Sequence, residues 1–298
     1  MREGWILPGT LPARVGCARG GAGRWARLGV ASAALLLLWL GAGGAVGAEL
    51  VDPRDYDALL RRHVNGAWVD YAGLASSVDV LERYLTAARE VELASATPEE
   101  QIALWLNAYN AAVLRLVLEH HPVRRVALPG FLHPANSIRQ IADAWDDRRL
   151  VIDGQRYSLS EVAHDVLRKR YAEPRVIFAL CDAARGSPPL RAGAYVGSRL
   201  DAQLEQAARS FLEDSQHGFR IDAAHRTVWL SRIFAWYGLD LVRLLGEGTP
   251  SGGAGTSSPD SVVLRLVRRY LPPHDVEILD QGGLTVSYLP FDWRLNGR

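Results

Sequence analysis

The segment "TPEEQIALWLNAYNAAVLRLVLEHHP" (97–122) carries the clearest helix pattern in the chain, and it decides the fold. Thr97 and Glu100 have the spacing of a capping box, and Pro98 suits the first helical position. Apolar residues recur at helical spacing, and further apolar residues occupy the remaining faces. The pattern therefore predicts a long central helix that is buried on nearly every side.

Two asparagines, Asn107 and Asn110, interrupt this apolar helix. A buried amide must find hydrogen-bond partners, and this requirement allows two interpretations. The side chains could satisfy the backbone of a neighbouring loop. Alternatively, they could orient a substrate or a catalytic group, which makes them candidate substrate-binding residues.

Shorter patterns on either side predict six more helices and two hairpins. Apolar spacing and capping signals predict helices over 53–63, 78–92, 158–171, 198–214, 232–246 and 259–270. Turn signals predict hairpins over 150–160 and 219–231. The stretch "WVDYAGL" (68–74) is expected to be a short extended or turn segment.

The apolar run "RVIFALC" (175–181) predicts a buried strand, and "LTVSYLPFDWRLN" near the end predicts a β-type tail. Hairpins alternate with helices without regular βαβ units. The expected fold is therefore α+β: a helix-rich single domain with a small, mostly antiparallel sheet. Residues 246–259 are rich in Gly, Ser and Thr, which predicts a flexible insertion in a domain spanning 49–298.

Residues 1–48 have the layout of a secretory signal. Basic residues precede an uncharged apolar run over 28–48, and small residues end that run before Glu49. The run is also long enough to anchor the chain in a bilayer. We expect a periplasmic or secreted protein, with anchoring in the inner membrane by residues 28–48 as the alternative.

Charge and cysteine content exclude several classes of partner and cofactor. Removing residues 1–48 removes five arginines and one glutamate, which leaves 29 basic and 32 acidic residues and a net charge of about −3. No basic tract indicates nucleic-acid binding. The remaining cysteine, Cys181, has no partner for an internal disulfide. No residue cluster has metal-site spacing and no phosphate loop is present, so we expect neither a metal nor a cofactor.

The stretch "RVIFALCDAARGSPPLR" (175–191) has the form of an active-site segment, with an apolar run followed by a Gly-Ser-Pro-Pro turn. Ser187 could act as nucleophile, with His164 as base and Asp182 as orienting acid. Cys181 is the other candidate nucleophile. The structural alternatives are that Ser187 caps the turn and that Cys181 belongs to the core.

Several stretches together resemble a known family, domain of unknown function 547. They run from about Asp55 to Asn296 and include "WVDYAGL", "ALWLNAYNAAVL", "RRLVIDGQRYSLSEVAHDVLR", "RVIFALCDAARGSPPLR", "DAQLEQAARSFL", "VWLSRIFAWYGLDL" and "FDWRLN". The resemblance implies a protein that is often exported in bacteria and similar to cysteine-peptidase-like folds. It also implies a chemical centre at a Cys-Pro turn, with a histidine on the preceding helix, and a suspected hydrolase role.

The chain departs from the family pattern at that centre. Asp182 and Ser187 stand at the two usual cysteine positions, and Ile177 replaces the usual histidine of the apolar run. His164, Asn107, Asn110 and Arg191 are retained, and Arg191 is a further candidate substrate-binding residue.

Three hypotheses follow from this pattern. The first is a hydrolase of amide or peptide bonds with an altered nucleophile. The second is a non-catalytic protein that keeps the cleft and binds a small peptide or amide. The third is a structural envelope protein held by an uncleaved N-terminal segment. The aromatic residues Trp229, Trp236, Tyr237 and Trp293 are expected in the core, or in a groove for the ligand.

Overall fold

The computed structural model describes residues 49–125, 133–245 and 258–297. The predicted signal segment and most of the predicted insertion, residues 246–257, lie outside these ranges. The α-helices are α1 (Arg54–His63), α2 (Tyr71–Ala75), α3 (Val78–Ala87), α4 (Pro98–Glu119), α5 (Leu159–Glu161), α6 (Leu200–Leu212), α7 (Arg232–Leu245), α8 (Pro259–Arg268) and α9 (Pro273–Asp280).

The strands form small sheets, and together with the helices they confirm the predicted α+β class. The strands are β1 (Val64–Asn65), β2 (Trp68–Val69), β3 (Leu150–Ile152), β4 (Gln155–Tyr157), β5 (Phe219–Asp222), β6 (Thr227–Leu230) and β7 (Thr285–Tyr288). The pairs β1–β2, β3–β4 and β5–β6 are antiparallel, whereas β7 joins β6 in parallel. Both predicted hairpins are therefore present.

Helix α4 lies in the core, as its sequence predicts. The capping box between Thr97 and Glu100 is formed, with Pro98 at the start of the helix. Fifteen of its 22 residues are buried. The helix is long and apolar enough to cross a membrane. However, 78% of an 18-residue apolar stretch of this helix is buried inside the protein, as is typical of a core helix.

The predicted strand over 175–181 is wrong. Residues Pro174–Phe178 form a 3₁₀-helix, which begins at a proline and is capped by the Glu173 side chain. Beyond it the chain passes from one core cluster to another: Ile177 and Phe178 pack with α6, α7 and α8, whereas Leu180 and Cys181 pack around α4. A run that is buried on all sides need not be a strand, because its apolar character reports burial and not backbone pairing.

The predicted helix over 158–171 forms with a different backbone. Its capping box between Ser158 and Glu161 is present, but only Leu159–Glu161 is α-helical, and Val162–Arg170 is a π-helix. π-helical segments are rare and often occur at functional sites. Helix α9 was not predicted, because it buries no residue and therefore carries no apolar stripe.

The amides of Asn107 and Asn110 join α4 to the segment that follows the 3₁₀-helix. Asn110 donates to the carbonyl of Ala179 and accepts from the backbone N–H of Cys181, both at 3.0 Å. Asn107 donates to the carbonyl of Tyr195 and accepts from its backbone N–H, both at 2.8 Å. Each amide thus replaces the pairing that a neighbouring strand would provide.

We predict that Asn110→Ala lowers the free energy of unfolding by about 2–4 kcal/mol, because it leaves two buried backbone groups without partners. Denaturant unfolding measures this loss. Asn65→Ala, which truncates an exposed asparagine, is the matched control and should change the value by less than about 0.5 kcal/mol. Equal losses for the two variants would contradict the assigned role.

Candidate functional site

The chain from Ala179 to Arg191 is held between α4 and the C-terminal tail. Ala184 forms an isolated antiparallel bridge with Leu295, and the N–H of Gly186 donates to the carbonyl of Asp292 at 2.9 Å. A Cβ atom at position 186 would lie 2.6 Å from the backbone nitrogen of Asp292, so this close approach requires glycine. The candidate residues 181–187 therefore have a fixed backbone.

Cys181 has the environment of a core thiol. Its side chain is 3% exposed, and burial raises its pKa to about 11. The Asn296 amide donates to its Sγ at 3.4 Å, and the hydroxyl of Ser187 lies 3.8 Å away. A thiol that remains protonated at neutral pH is a poor nucleophile.

The hydroxyl of Ser187 closes the turn in which it lies. It donates to the carbonyl of Ala184 at 2.7 Å and is 3.3 Å from the carbonyl of Pro188. Its side chain is 4% exposed, at the wall of a cavity of about 300 Å³ that we call the Ser187 cavity. Arg191 also lines this cavity, and its guanidinium is 3.4 Å from the carbonyl of Ala194.

Asp182 faces a different cavity, of about 320 Å³, which we call the Asp182 pocket. Its Oδ1 accepts from the hydroxyl of Tyr109 at 2.7 Å and from the indole N–H of Trp145 at 3.4 Å. No described residue donates to its Oδ2. Burial raises the pKa of Asp182, while the two donors and the charge of Arg168 act in the opposite direction. The pocket is lined by Tyr109, Arg139, Trp145, Ser160, Ala163, His164, Asp182, Trp236, Tyr237 and Trp293.

His164 enters the Asp182 pocket from the π-helix. Its Nδ1 lies 3.7 Å from Oδ2 of Asp240, and its ring meets the ring of Tyr237 edge-on at 5.7 Å between centroids. Burial and the nearby charge of Arg168 lower the pKa of His164, and Asp240 only partly offsets them. The imidazole is therefore mainly uncharged at neutral pH.

Arg168 supports this wall of the pocket from behind. Its side chain is fully buried, and its Nε donates to the carbonyl of Ala163 at 2.8 Å inside the π-helix. The guanidinium lies 4.0 Å from the centroid of the Tyr237 ring and 3.2 Å from Asp240. The π-helix thus places Ala163 and His164 against the pocket while the Arg168 charge is paired.

Aromatic residues form the rim of the Asp182 pocket. Trp293 lies 5.7 Å from Trp236 and 6.0 Å from Trp145, between ring centroids. Arg139 lies over this rim, 4.8 Å from the Trp293 centroid and 5.5 Å from that of Trp145. Trp236, Tyr237 and Trp293 therefore line this pocket, which was the alternative to a place in the core, whereas Trp229 contacts Arg220 on the β5–β6 hairpin.

The structure divides the sequence-predicted site residues into three groups. Asp182 and His164 line one pocket, Ser187 and Arg191 line another, and Cys181 is enclosed in the core. The polar partners of Ser187 do not include His164, and those of His164 do not include Cys181. Asn107 and Asn110 bond to backbone and line neither cavity.

Sequence reasoning did not select Tyr109, Arg139, Trp145 or Ser160 as site residues. These residues come from elements that are distant in sequence. Only Tyr109 has a local indication of its role, because it lies between Asn107 and Asn110 in the stretch "LNAYN". Within the described ranges, no group of three or more His, Cys, Asp and Glu side chains is arranged to hold a metal ion.

The fold and the pocket define an α+β protein with an aromatic pocket around a partly buried carboxyl group. The family described as "Protein of unknown function, DUF547" matches residues 93–212, and this match supports membership of the chain in that family. The match covers α4, the π-helix and the segment with Asp182. No curated protein and no solved structure matches the chain, so the cysteine-peptidase-like likeness stays a prediction.

We predict that Cys181 resists alkylation in the folded protein. In a Cys17→Ser variant of the full chain, iodoacetamide at pH 8 should label Cys181 at least about a hundredfold more slowly than in denaturant, because the thiol is buried and its pKa is raised. Mass spectrometry measures the rate. Rapid labelling of the folded protein would instead indicate an accessible thiolate.

Proposed function

We propose that the protein binds a small peptide or amide in the Asp182 pocket without cleaving it. The observation that carries this proposal is the open Oδ2 of Asp182, which has no described donor and lies among aromatic side chains in a cavity of about 320 Å³. A mainly apolar pocket with a few fixed polar groups is the usual form of a small-molecule site.

The positions of the candidate nucleophiles support binding over hydrolysis. Covalent catalysis needs a nucleophile within hydrogen-bond reach of its base. Ser187 donates to backbone carbonyls, and Cys181 is buried with a pKa of about 11. His164, the proposed base, has Asp240 as its nearest polar partner.

Amide hydrolysis is the second candidate function, and one observation favours it. Ser160 lines the Asp182 pocket together with His164, and Asp240 lies beside Nδ1 of His164. This set has the chemical types of a Ser-His-Asp triad. Incubation with peptides distinguishes binding from hydrolysis, because cleavage products appear only if the protein is a hydrolase.

We predict that the full chain binds members of a panel of dipeptides, N-acetyl dipeptides and dipeptide amides and leaves them intact. Titration calorimetry measures affinity, and NMR of the incubated peptides measures cleavage. Trp293→Ala should weaken binding about tenfold, since it removes one wall of the pocket. Trp229→Ala removes a similarly half-buried tryptophan away from the pocket and should not.

Two results would overturn this proposal. Failure of every panel member to bind would refute the peptide or amide site. Steady cleavage abolished by Ser160→Ala would establish the hydrolase.

We also propose that the protein is exported, on the basis of the basic and apolar pattern of residues 1–48. N-terminal sequencing of protein recovered from the periplasm or medium should begin at Glu49. A chain that begins at Met1 and remains with the membrane would show that the segment is an anchor.

A further inference from the structure

The Asp182 pocket contains two charged groups, Asp182 and Arg139, that form no ion pair with any residue in the described ranges. Among the described residues, Asp182 has only two neutral donors, the Tyr109 hydroxyl and the Trp145 indole N–H, and both contact its Oδ1. Arg139 forms no ion pair with a described residue, whereas Arg168 is paired with Asp240. Asp182 and Arg139 line the same cavity but do not pair with each other.

From this arrangement, and on the basis of the proposed function, we infer that the ligand is a zwitterion: an amino acid or short peptide with a free ammonium and a free carboxylate. The ammonium would bind Oδ2 of Asp182, and the carboxylate would bind the guanidinium of Arg139. A neutral amide would leave both protein charges without a counter-charge, so it complements the site less well.

The acidic end of the pocket suits a cation. Tyr109 and Trp145 both donate to Oδ1 of Asp182, which favours the ionised carboxylate and leaves Oδ2 as an acceptor. His164 is mainly uncharged at neutral pH, so it does not oppose an ammonium there.

The basic end suits a carboxylate. Arg139 lies in the 3₁₀-helix Ile138–Gln140, and its guanidinium is positioned over the rings of Trp145 and Trp293. Contact with two rings restricts the guanidinium, and no described residue accepts a hydrogen bond from it, so its N–H donors are available to a ligand. A planar guanidinium binds a carboxylate through two parallel hydrogen bonds, which also fixes the direction of the ligand.

The size of the cavity limits the ligand to a small one. About 320 Å³ is at the lower end of the range of about 300–1,000 Å³ for small-molecule pockets. An amino acid or dipeptide fits this range, and a long peptide would have to leave the pocket at its rim, beside the exposed Trp236.

The test compares four forms of the dipeptide that binds most tightly to the full chain: unmodified, N-acetylated, C-terminally amidated, and modified at both ends. Titration calorimetry should give the unmodified form the highest affinity. Each single modification should weaken binding by at least about tenfold, because it removes one charge-assisted interaction.

Two variants test which end of the dipeptide each residue binds. Asp182→Asn should abolish the preference for a free amine and keep the preference for a free carboxylate. Arg139→Gln should do the reverse, and because Arg139 is exposed this variant should fold normally. The matched controls are Asp214→Asn, which alters a carboxylate lining the Ser187 cavity, and Arg220→Gln, which alters an exposed arginine over Trp229. Both controls should leave the preferences unchanged.

The pH dependence provides a second measurement. Burial raises the pKa of Asp182, so on acidification the carboxylate is lost, and with it affinity for the dipeptide, at a higher pH than for an ordinary aspartate. The other titratable or charged groups that line or adjoin the pocket are Tyr109, Tyr237, Arg139, Arg168 and His164, and of these His164 gains a proton on acidification. His164→Gln should therefore retain the loss of affinity in acid, and Asp182→Asn should reduce it.

Equal affinity for the unmodified and the doubly modified peptide would overturn the inference that the ligand is a zwitterion and leave the proposed binding function intact. If no form bound, the zwitterion inference and the proposed function would both be wrong. A free-end preference unaffected by Asp182→Asn and Arg139→Gln would also contradict the assignment of the two ends.

Discussion

Four hydrogen bonds from two buried asparagines hold the site segment against the central helix. Asn107 and Asn110 are each 3% exposed, and each satisfies one backbone donor and one backbone acceptor of a segment that has almost no strand pairing of its own. A buried backbone group without a partner destabilises the folded state by about 1–3 kcal/mol. The path of the chain from Ala179 to Tyr195 depends on these two amides, and so does the position of Asp182.

The pocket is assembled around that fixed segment from elements that are far apart in sequence. Helix α4 contributes Tyr109, the π-helix contributes His164, and the C-terminal tail contributes Trp293. In the same segment, the Cys181 thiol is buried in the core, and the Ser187 hydroxyl bonds to the backbone of its own turn. Asp182 and Arg139 line this pocket and form no ion pair with a described residue, so the proposed ligand carries an ammonium and a carboxylate.

The sequence predicts the parts of this fold that depend on local chemistry. Both capping boxes and both hairpins are where their residues indicate, because each depends on a few neighbouring groups. The prediction of a strand over 175–181 is wrong, because a buried run that joins two core clusters has the same composition as a buried strand. The π-helix was not predicted either, since the Arg168 side chain that supports it gives no periodic signal.

The candidate site could be predicted only in part. Asp182 and His164, which the sequence proposes as acid and base beside Ser187, line one cavity without Ser187, whereas Arg139 and Trp145 reach this cavity through long-range packing that no local pattern indicates. Asn107 and Asn110 indicate from the sequence alone that α4 is hydrogen-bonded to a neighbouring segment, because buried polar groups in an apolar helix must have partners. Their partners became known only from the structure.

The most direct test of the account is native-state hydrogen exchange at the backbone N–H groups of Cys181 and Tyr195. Both lie outside regular secondary structure, and both donate to an asparagine of α4. If the amides hold a preformed site, these two groups should exchange as slowly as the centre of α4, through opening of the whole domain. Exchange at the rate of an exposed loop would show that the segment is mobile and would contradict the account.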